Sequence, residues 1–294
     1  MIEKRGISMK QKIAVLTDSS SSIYNVKHNF DHLFMIDIPV FLEDEVYTDF
    51  MNFDDEKFYE KLKSTDEIPK TSQPSVGETV EKFEYIKSLG YTHIIYLPIS
   101  KELSGTYQSG LLAKDMVEGI EIAVVDTLTT ASVLGSMALK VARWISQGHD
   151  FETLLDKIEQ LKGKARLYLV VNDLTYLVKN GRLSNAKSFV ANLLRIKPLI
   201  QLLDEGKLVA IENIRTYKKA IQRAVDKLKE VVKDGEGVIQ IYYTNNEKDL
   251  RYTEKLVTEA YPEHKVEAYT LPATIVAHIG TEVIAVGYVN HDLD

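Results

Sequence analysis

HIIYLPISKELSGTYQSGLLAK, residues 93–114, is the stretch on which the fold turns. His93–Leu97 is a short continuous apolar run, which marks a strand buried on both faces. Ser100–Thr106 is polar and carries Gly105, and a helical stretch over Gly105–Val117 follows. Strand, polar loop and helix in that order form half of a parallel crossover. Upstream, Lys12–Thr17 reads as a strand ending in Asp18-Ser19-Ser20-Ser21-Ser22, and Met35–Phe41 as a second strand. Helices are expected over Asp54–Lys63 and Ser75–Leu89. The latter follows Pro74, has Ser75 and Glu78 in capping-box spacing, and stops at Gly90. Downstream, Ala123–Val125 and Leu167–Val171 read as buried strands, separated by a helical stretch over Thr127–Gln147. Such alternation implies right-handed crossovers, with ligand groups just beyond the carboxyl ends of the strands. Asp18, Ser100–Thr106 and Asp126 all fall there.

The pattern changes near Gly163. Ile196–Leu203 and Lys207–Ile214 flank Asp204-Glu205-Gly206 as an antiparallel hairpin, and Thr216–Val232 is an amphipathic helix. Strand Gly237–Tyr243, helix Glu247–Tyr261, strand Lys265–Tyr269 and strand Val283–Tyr288 complete the chain. The expected fold class is α/β: an N-terminal parallel-sheet three-layer domain, residues 1–162, followed by a mixed α+β domain, residues 163–294.

With 45% hydrophobic and 27% charged residues, the 294-residue chain has the composition of a globular protein. Its apolar runs are strand-sized, far short of a membrane span. Met1–Lys10 is charged and lacks an apolar core, so we expect a ragged leader with Met9 as the natural start and no secretion signal. The absence of cysteine excludes disulfides, thiolate metal sites and a cysteine nucleophile, and points to the cytoplasm. A net charge of −7 argues against nucleic acid as a partner. Eleven Lys/Arg against four Asp/Glu lie between Lys179 and Lys227, a local excess of seven that leaves the remainder at −14. This tract is either a solvated pair of helix faces or a docking face for an acidic or phosphorylated partner.

Nucleotide-binding glycine loops, a G-x-S-x-G elbow and H-E-x-x-H are all missing, and the seven histidines are scattered. Ser184-Asn185-Ala186-Lys187 matches S-x-x-K, but no K-T-G follows it. No catalytic constellation emerges. What the sequence does carry is hydroxyl clusters in loops. Thr71-Ser72-Gln73-Pro74-Ser75 and Leu103-Ser104-Gly105-Thr106-Tyr107-Gln108-Ser109 both open helices, where free N–H groups favour an anion or a simple cap. Asn180-Gly181-Arg182-Leu183-Ser184 is a basic turn expected between two helices. Asn213-Ile214-Arg215-Thr216-Tyr217-Lys218-Lys219 joins a strand to the basic helix, and His278-Ile279-Gly280 lies near the end.

These clusters in this order, with Asp18-Ser19 and Val125-Asp126, resemble the DegV family, the fatty-acid-binding subunits of bacterial fatty-acid kinase. The resemblance spans residues 12–288 and departs in two places. Thr281-Glu282 follows Gly280 where the family continues Pro-Gly, and Asn180 stands where a second Gly is common. It implies a long-chain fatty acid in a slot between the domains, as ligand in place of any cofactor or metal. Thr71 or Ser72, Ser104, Gly105 and Thr106 are then expected at the carboxylate, with His278 in the surrounding hydrogen bonds. Arg182 and Arg215 are expected near the mouth, serving a kinase partner and its acyl phosphate. Membrane contact would be transient at most. Two other readings use the same cleft: a hydrolase with a hydroxyl nucleophile, and a lipid-binding regulator.

Overall fold

The computed structural model describes residues 11–48, 53–188, 196–233, 237–244 and 246–290. The expected leader, residues 1–10, lies outside them.

Strands β1 (Ile13–Asp18), β2 (Leu33–Ile36), β6 (His93–Leu97) and β7 (Glu121–Val124) form a parallel sheet in the order β2-β1-β6-β7. The chain leaves β1 towards one edge and later returns to build the other, so the crevice between β1 and β6 is a topological switch point. One face packs on α2 (Val76–Ser88) and α3 (Thr106–Lys114) through Leu16, Phe83, Ile94, Tyr96 and Ala113. The other packs on α4 (Ala131–Ser146) and α5 (Phe151–Leu161) through Val15, Ile95, Leu134, Val141 and Leu154. This is the three-layer unit. The Ser75/Glu78 capping box opens α2, and Gly90 lies beyond its end at φ +82°.

The second sheet is mixed, in the order β10-β9-β8-β13-β11-β12. Its strands are β8 (Ala165–Val171), β9 (Lys197–Leu202), β10 (Leu208–Ile214), β11 (Val238–Tyr243), β12 (Lys265–Thr270) and β13 (Val283–Val289). Helices α7 (Tyr217–Lys227) and α8 (Glu247–Ala260) cover its outer face through Ile221, Val225, Leu250 and Val257. Its inner face, carrying Leu167, Leu169, Ile200, Tyr242 and Ala285, joins the same apolar core as α4. One core therefore runs between the two sheets.

Three local expectations differ. Met35–Phe41 divides at Asp37-Ile38-Pro39: β2 joins the parallel sheet, while β3 (Val40–Leu42) pairs with β4 (Glu45–Tyr47) and β5 (Lys70–Thr71). Pro39 has no N–H for a ladder and marks the break. The helix expected from Thr127 begins at Ala131, because Leu128 and Ala131 are left-handed at φ 56° and 55°. Leu167–Val171 belongs to the mixed sheet and is antiparallel to both neighbours. The turn at Asn180–Arg182 follows α6 (Thr175–Lys179) and leads into a bridge between Leu183 and Leu208 and a short 3-10 turn, Ala186–Ser188; the helix expected beyond it falls on residues 189–195, outside the described residues. Two helices were not anticipated: α5, and α9 (Ala273–Ile279), whose N-cap is Pro272.

Candidate functional site

At the switch point, Asp18 closes β1 and is fully buried. Its carboxylate accepts from Ile99 N at 2.7 Å, Ser20 N at 3.0 Å and Ser20 Oγ at 2.5 Å. Burial pushes its pKa up to about 6 despite those hydrogen bonds, which pull the other way. Asp18 thus ties the end of β1 to the loop after β6 and aims Ser20 at the interior. The small sheet brings in the second loop: Thr71 pairs with Val40, and Ser72 N donates to Pro39 O at 3.3 Å.

Between the two sheets lies a narrow cavity with about 70 Å³ of room for the centre of a water molecule. A single water needs about 10–15 Å³ by that measure, so this is a real void in an otherwise close-packed interior. Ile38, Ile99 and Leu103 line it from the first unit, and Leu167, Leu169 and Ala285 from the second. Its polar part gathers Thr71, Ser104, Arg182 and His278.

Thr71 Oγ1 and His278 Nε2 share a hydrogen bond of 2.7 Å. Burial, reinforced by the neighbouring Arg182 cation, pulls the His278 pKa down to about 4, so the imidazole is neutral at pH 7. Its Nδ1 is buried without a hydrogen-bond partner. Ser104 Oγ lies 2.8 Å from Thr106 Oγ1 and accepts from Thr106 N at 3.3 Å, which opens α3. Arg182 Nε donates to Leu103 O at 3.2 Å, and Nη1 donates to Asn180 O. Burial lowers the guanidinium pKa from its usual value, and among the described residues no carboxylate pairs with it. A half-buried cation without an acid is a place for an anion.

Two contacts hold these pieces in register. A Cβ on Gly105 would sit 2.9 Å from Gln73 Cδ, so glycine lets the two hydroxyl loops touch. Asn180 Nδ2 donates to Ala277 O at 3.0 Å and Pro69 O at 3.4 Å, joining the Arg182 turn to α9 and to the strand bearing Thr71. The asparagine that departs from the family pattern is therefore a fastening.

Not every expected residue comes to the cavity. Ser72 is exposed and donates to Gln73 O at 3.1 Å, which leaves Thr71 as the member of that pair facing inward. Thr106 is fully buried behind Ser104 and outside the lining. Arg215 is exposed just past β10, seven positions from the cavity-lining Leu208, or roughly 20 Å along a strand. The structure does not bring it to Arg182. Conversely, Ser20, Thr130 and Thr274 line the cavity and were missed. Pro272 before a short apolar run was the signal for the helix that carries Thr274.

The described residues contain no group of three His, Asp or Glu able to hold a metal, and no helix long and apolar enough to cross a membrane.

An α/β protein with an apolar cavity between a parallel and a mixed sheet is the class that fold and site define. The family model described as "Uncharacterised protein, DegV family" matches residues 12–291, and the chain belongs to the DegV family. A DegV domain-containing protein of Streptococcus pyogenes serotype M6 is 35% identical over 277 residues, 94% of this chain and 98% of that one. The fatty acid binding DegV family protein SAG1342 of Streptococcus agalactiae superposes with a TM-score of 0.87 at 31% identity, covering 96% and 100% of the two chains. The fold is also that of the Streptococcus pneumoniae Fatty Acid Kinase (Fak) B3 protein loaded with linoleic acid, with a TM-score of 0.82, 24% identity and coverage of 95% and 100%.

Proposed function

We propose that this protein is a cytoplasmic fatty-acid carrier, which holds a long-chain acid in the cavity between units 1–162 and 163–294 and presents its carboxylate to a fatty-acid kinase. The observation that carries the reading is the pairing of a largely apolar void with a charged corner, in which Arg182 has no acid partner among the described residues. Burying an acyl chain contributes about 0.8 kcal/mol per CH₂, roughly 10 kcal/mol for a long chain before the costs of association. The tail then supplies the affinity. Thr71, Ser104 and Arg182 orient the acid and offset its desolvation, and neutral His278 fixes the Thr71 hydroxyl. A carboxylate left with one accessible oxygen is open to phosphorylation by a second protein.

Arg215, with Lys218 and Lys219, offers a separate exposed basic face to that partner. The hydrolase reading draws on the Thr71–His278 hydrogen bond. A base with a pKa near 4, whose second nitrogen meets no orienting acid, is poorly suited to activate a hydroxyl at neutral pH.

Titrating stripped protein with palmitic acid and with its methyl ester tests the reading. The acid is expected to bind at least tenfold tighter, because only the charged headgroup engages Arg182. Equal affinities, or slow hydrolysis of the ester, would contradict it.

A further inference from the structure

Besides the Thr71–Ser104–Arg182–His278 corner, three more hydroxyl residues face the same cavity: Ser20, Thr130 and Thr274. Thr130 is 5% exposed and Thr274 3%, and neither hydroxyl has a hydrogen-bond partner from the protein. Ser20 is fully buried, and its proton is committed to Asp18 at 2.5 Å, so its oxygen is left as an acceptor. The turn Ser19–Ser21 packs against both α4, which Thr130 precedes, and α9, which carries Thr274. Thr274 sits four residues before His278 on α9, about 6 Å along the helix axis.

Native interiors pair nearly all buried hydroxyls, so two unpaired ones facing a single void ask for an oxygen there. A plain polymethylene chain cannot supply it.

We propose that the cavity takes hydroxy fatty acids, with the hydroxyl among the carbons closest to the carboxylate, in preference to unsubstituted acids. This rests on the reading of the cavity as a fatty-acid site and names the class of acid. A ligand hydroxyl accepts from Thr130 or Thr274 and donates to Ser20. A keto oxygen only accepts, and a methylene does neither. The threonines are therefore specificity-determining residues, and the corner at Arg182 keeps its role with the carboxylate.

The test is a competition on stripped protein between stearic acid and hydroxystearic acids with the hydroxyl at successive carbons, read by native mass spectrometry. One isomer, or two neighbouring ones, should be retained about fivefold over stearic acid, the yield of a net hydrogen bond. Thr274→Val or Thr130→Val should bring that ratio to about one or below, and Thr274→Ser should preserve it. Stearic acid binding as well as or better than every isomer overturns this proposal alone. A preference that survives both valine variants also overturns it. Failure of every acid to bind overturns the fatty-acid reading and this one with it.

Discussion

Ser100 and Gly206 meet across the two units: Ser100 Oγ donates to Gly206 O at 3.0 Å, and a Cβ on Gly206 would fall 2.2 Å from that same oxygen. The hairpin turn between β9 and β10 thereby rests on the loop after β6. Leu208, which lines the cavity, lies two residues beyond this contact and bridges to Leu183, the neighbour of the cavity-lining Arg182.

Gly206→Ala should therefore cost more than its backbone alone. With φ at +81°, the alanine carries about 1–2 kcal/mol of left-handed strain, and overlap with Ser100 and Leu128 Cα adds about 1–3 kcal/mol. Gly148→Ala is the control, since its φ is +90° and nothing lies within 4 Å of the added carbon. Denaturant midpoints should place Gly206→Ala well below Gly148→Ala, and equal losses would remove the claim that the turn is fitted to Ser100.

Asn180→Ala should loosen the site more than the fold. It removes hydrogen bonds to Ala277 O and Pro69 O, each worth about 0.5–1.5 kcal/mol, and frees α9 from the strand carrying Thr71. Acid retention is expected to fall several-fold alongside a modest loss of stability. Unaltered retention would mean that Asn180 fastens nothing the ligand senses.

Arg182 and Arg215 should separate in function. Arg182→Gln removes the half-buried cation and is expected to cut acid affinity about 10- to 100-fold, in keeping with a hydrogen bond to a charged group. Arg215→Glu, at an exposed position, should spare acid binding and slow phosphorylation by a fatty-acid kinase. Binding curves and kinase turnover on the same two variants decide it; equal effects of both changes on binding would place Arg215 at the site after all.

Two buried groups should pull stability in opposite directions with pH. His278 falls from 6.5 to about 4 on folding, through burial first and Arg182 second, so its contribution is complete above pH 6.5 and is lost as pH falls towards 4. Asp18 rises from 3.8 to about 6 through burial, so its contribution is complete below pH 3.8 and is lost as pH rises towards 6. Between pH 4.5 and 6 the two slopes largely cancel. Unfolding of His278→Gln across that window should show stability rising as pH falls, and Asp18→Asn should show it falling. Matching profiles in the two variants would refute the assignment.

The sequence carried the strand and helix plan because that plan is local. Alternating β-branched runs, the Ser75/Glu78 capping box and the Asp204-Glu205-Gly206 turn each leave a signal within a few residues. The small sheet was illegible for the opposite reason: β3, β4 and β5 are two or three residues long, too short for periodicity to show. The start of α4 was hidden because Thr127–Thr130 is compatible with several backbones, and neither Leu128 nor Ala131 is a residue type that announces a left-handed turn. Glu282 repeats the lesson. It occupies φ 62°, where the family pattern places glycine, and the position is held by Tyr217 donating to Glu282 O at 2.8 Å and Asn172 Nδ2 donating to its side chain at 2.5 Å. At the site, the family resemblance pointed to Thr71 or Ser72, Ser104 and His278, but the partnerless hydroxyls of Thr130 and Thr274 exist only once α4 and α9 face one cavity.

Native mass spectrometry of the full chain as purified, with extraction and identification of whatever it carries, tests the central claim most directly. The account predicts a one-to-one complex with a long-chain acid, released on denaturation and reduced in a Ser104→Ala variant. A bare chain that also fails to take up added long-chain acids would contradict it.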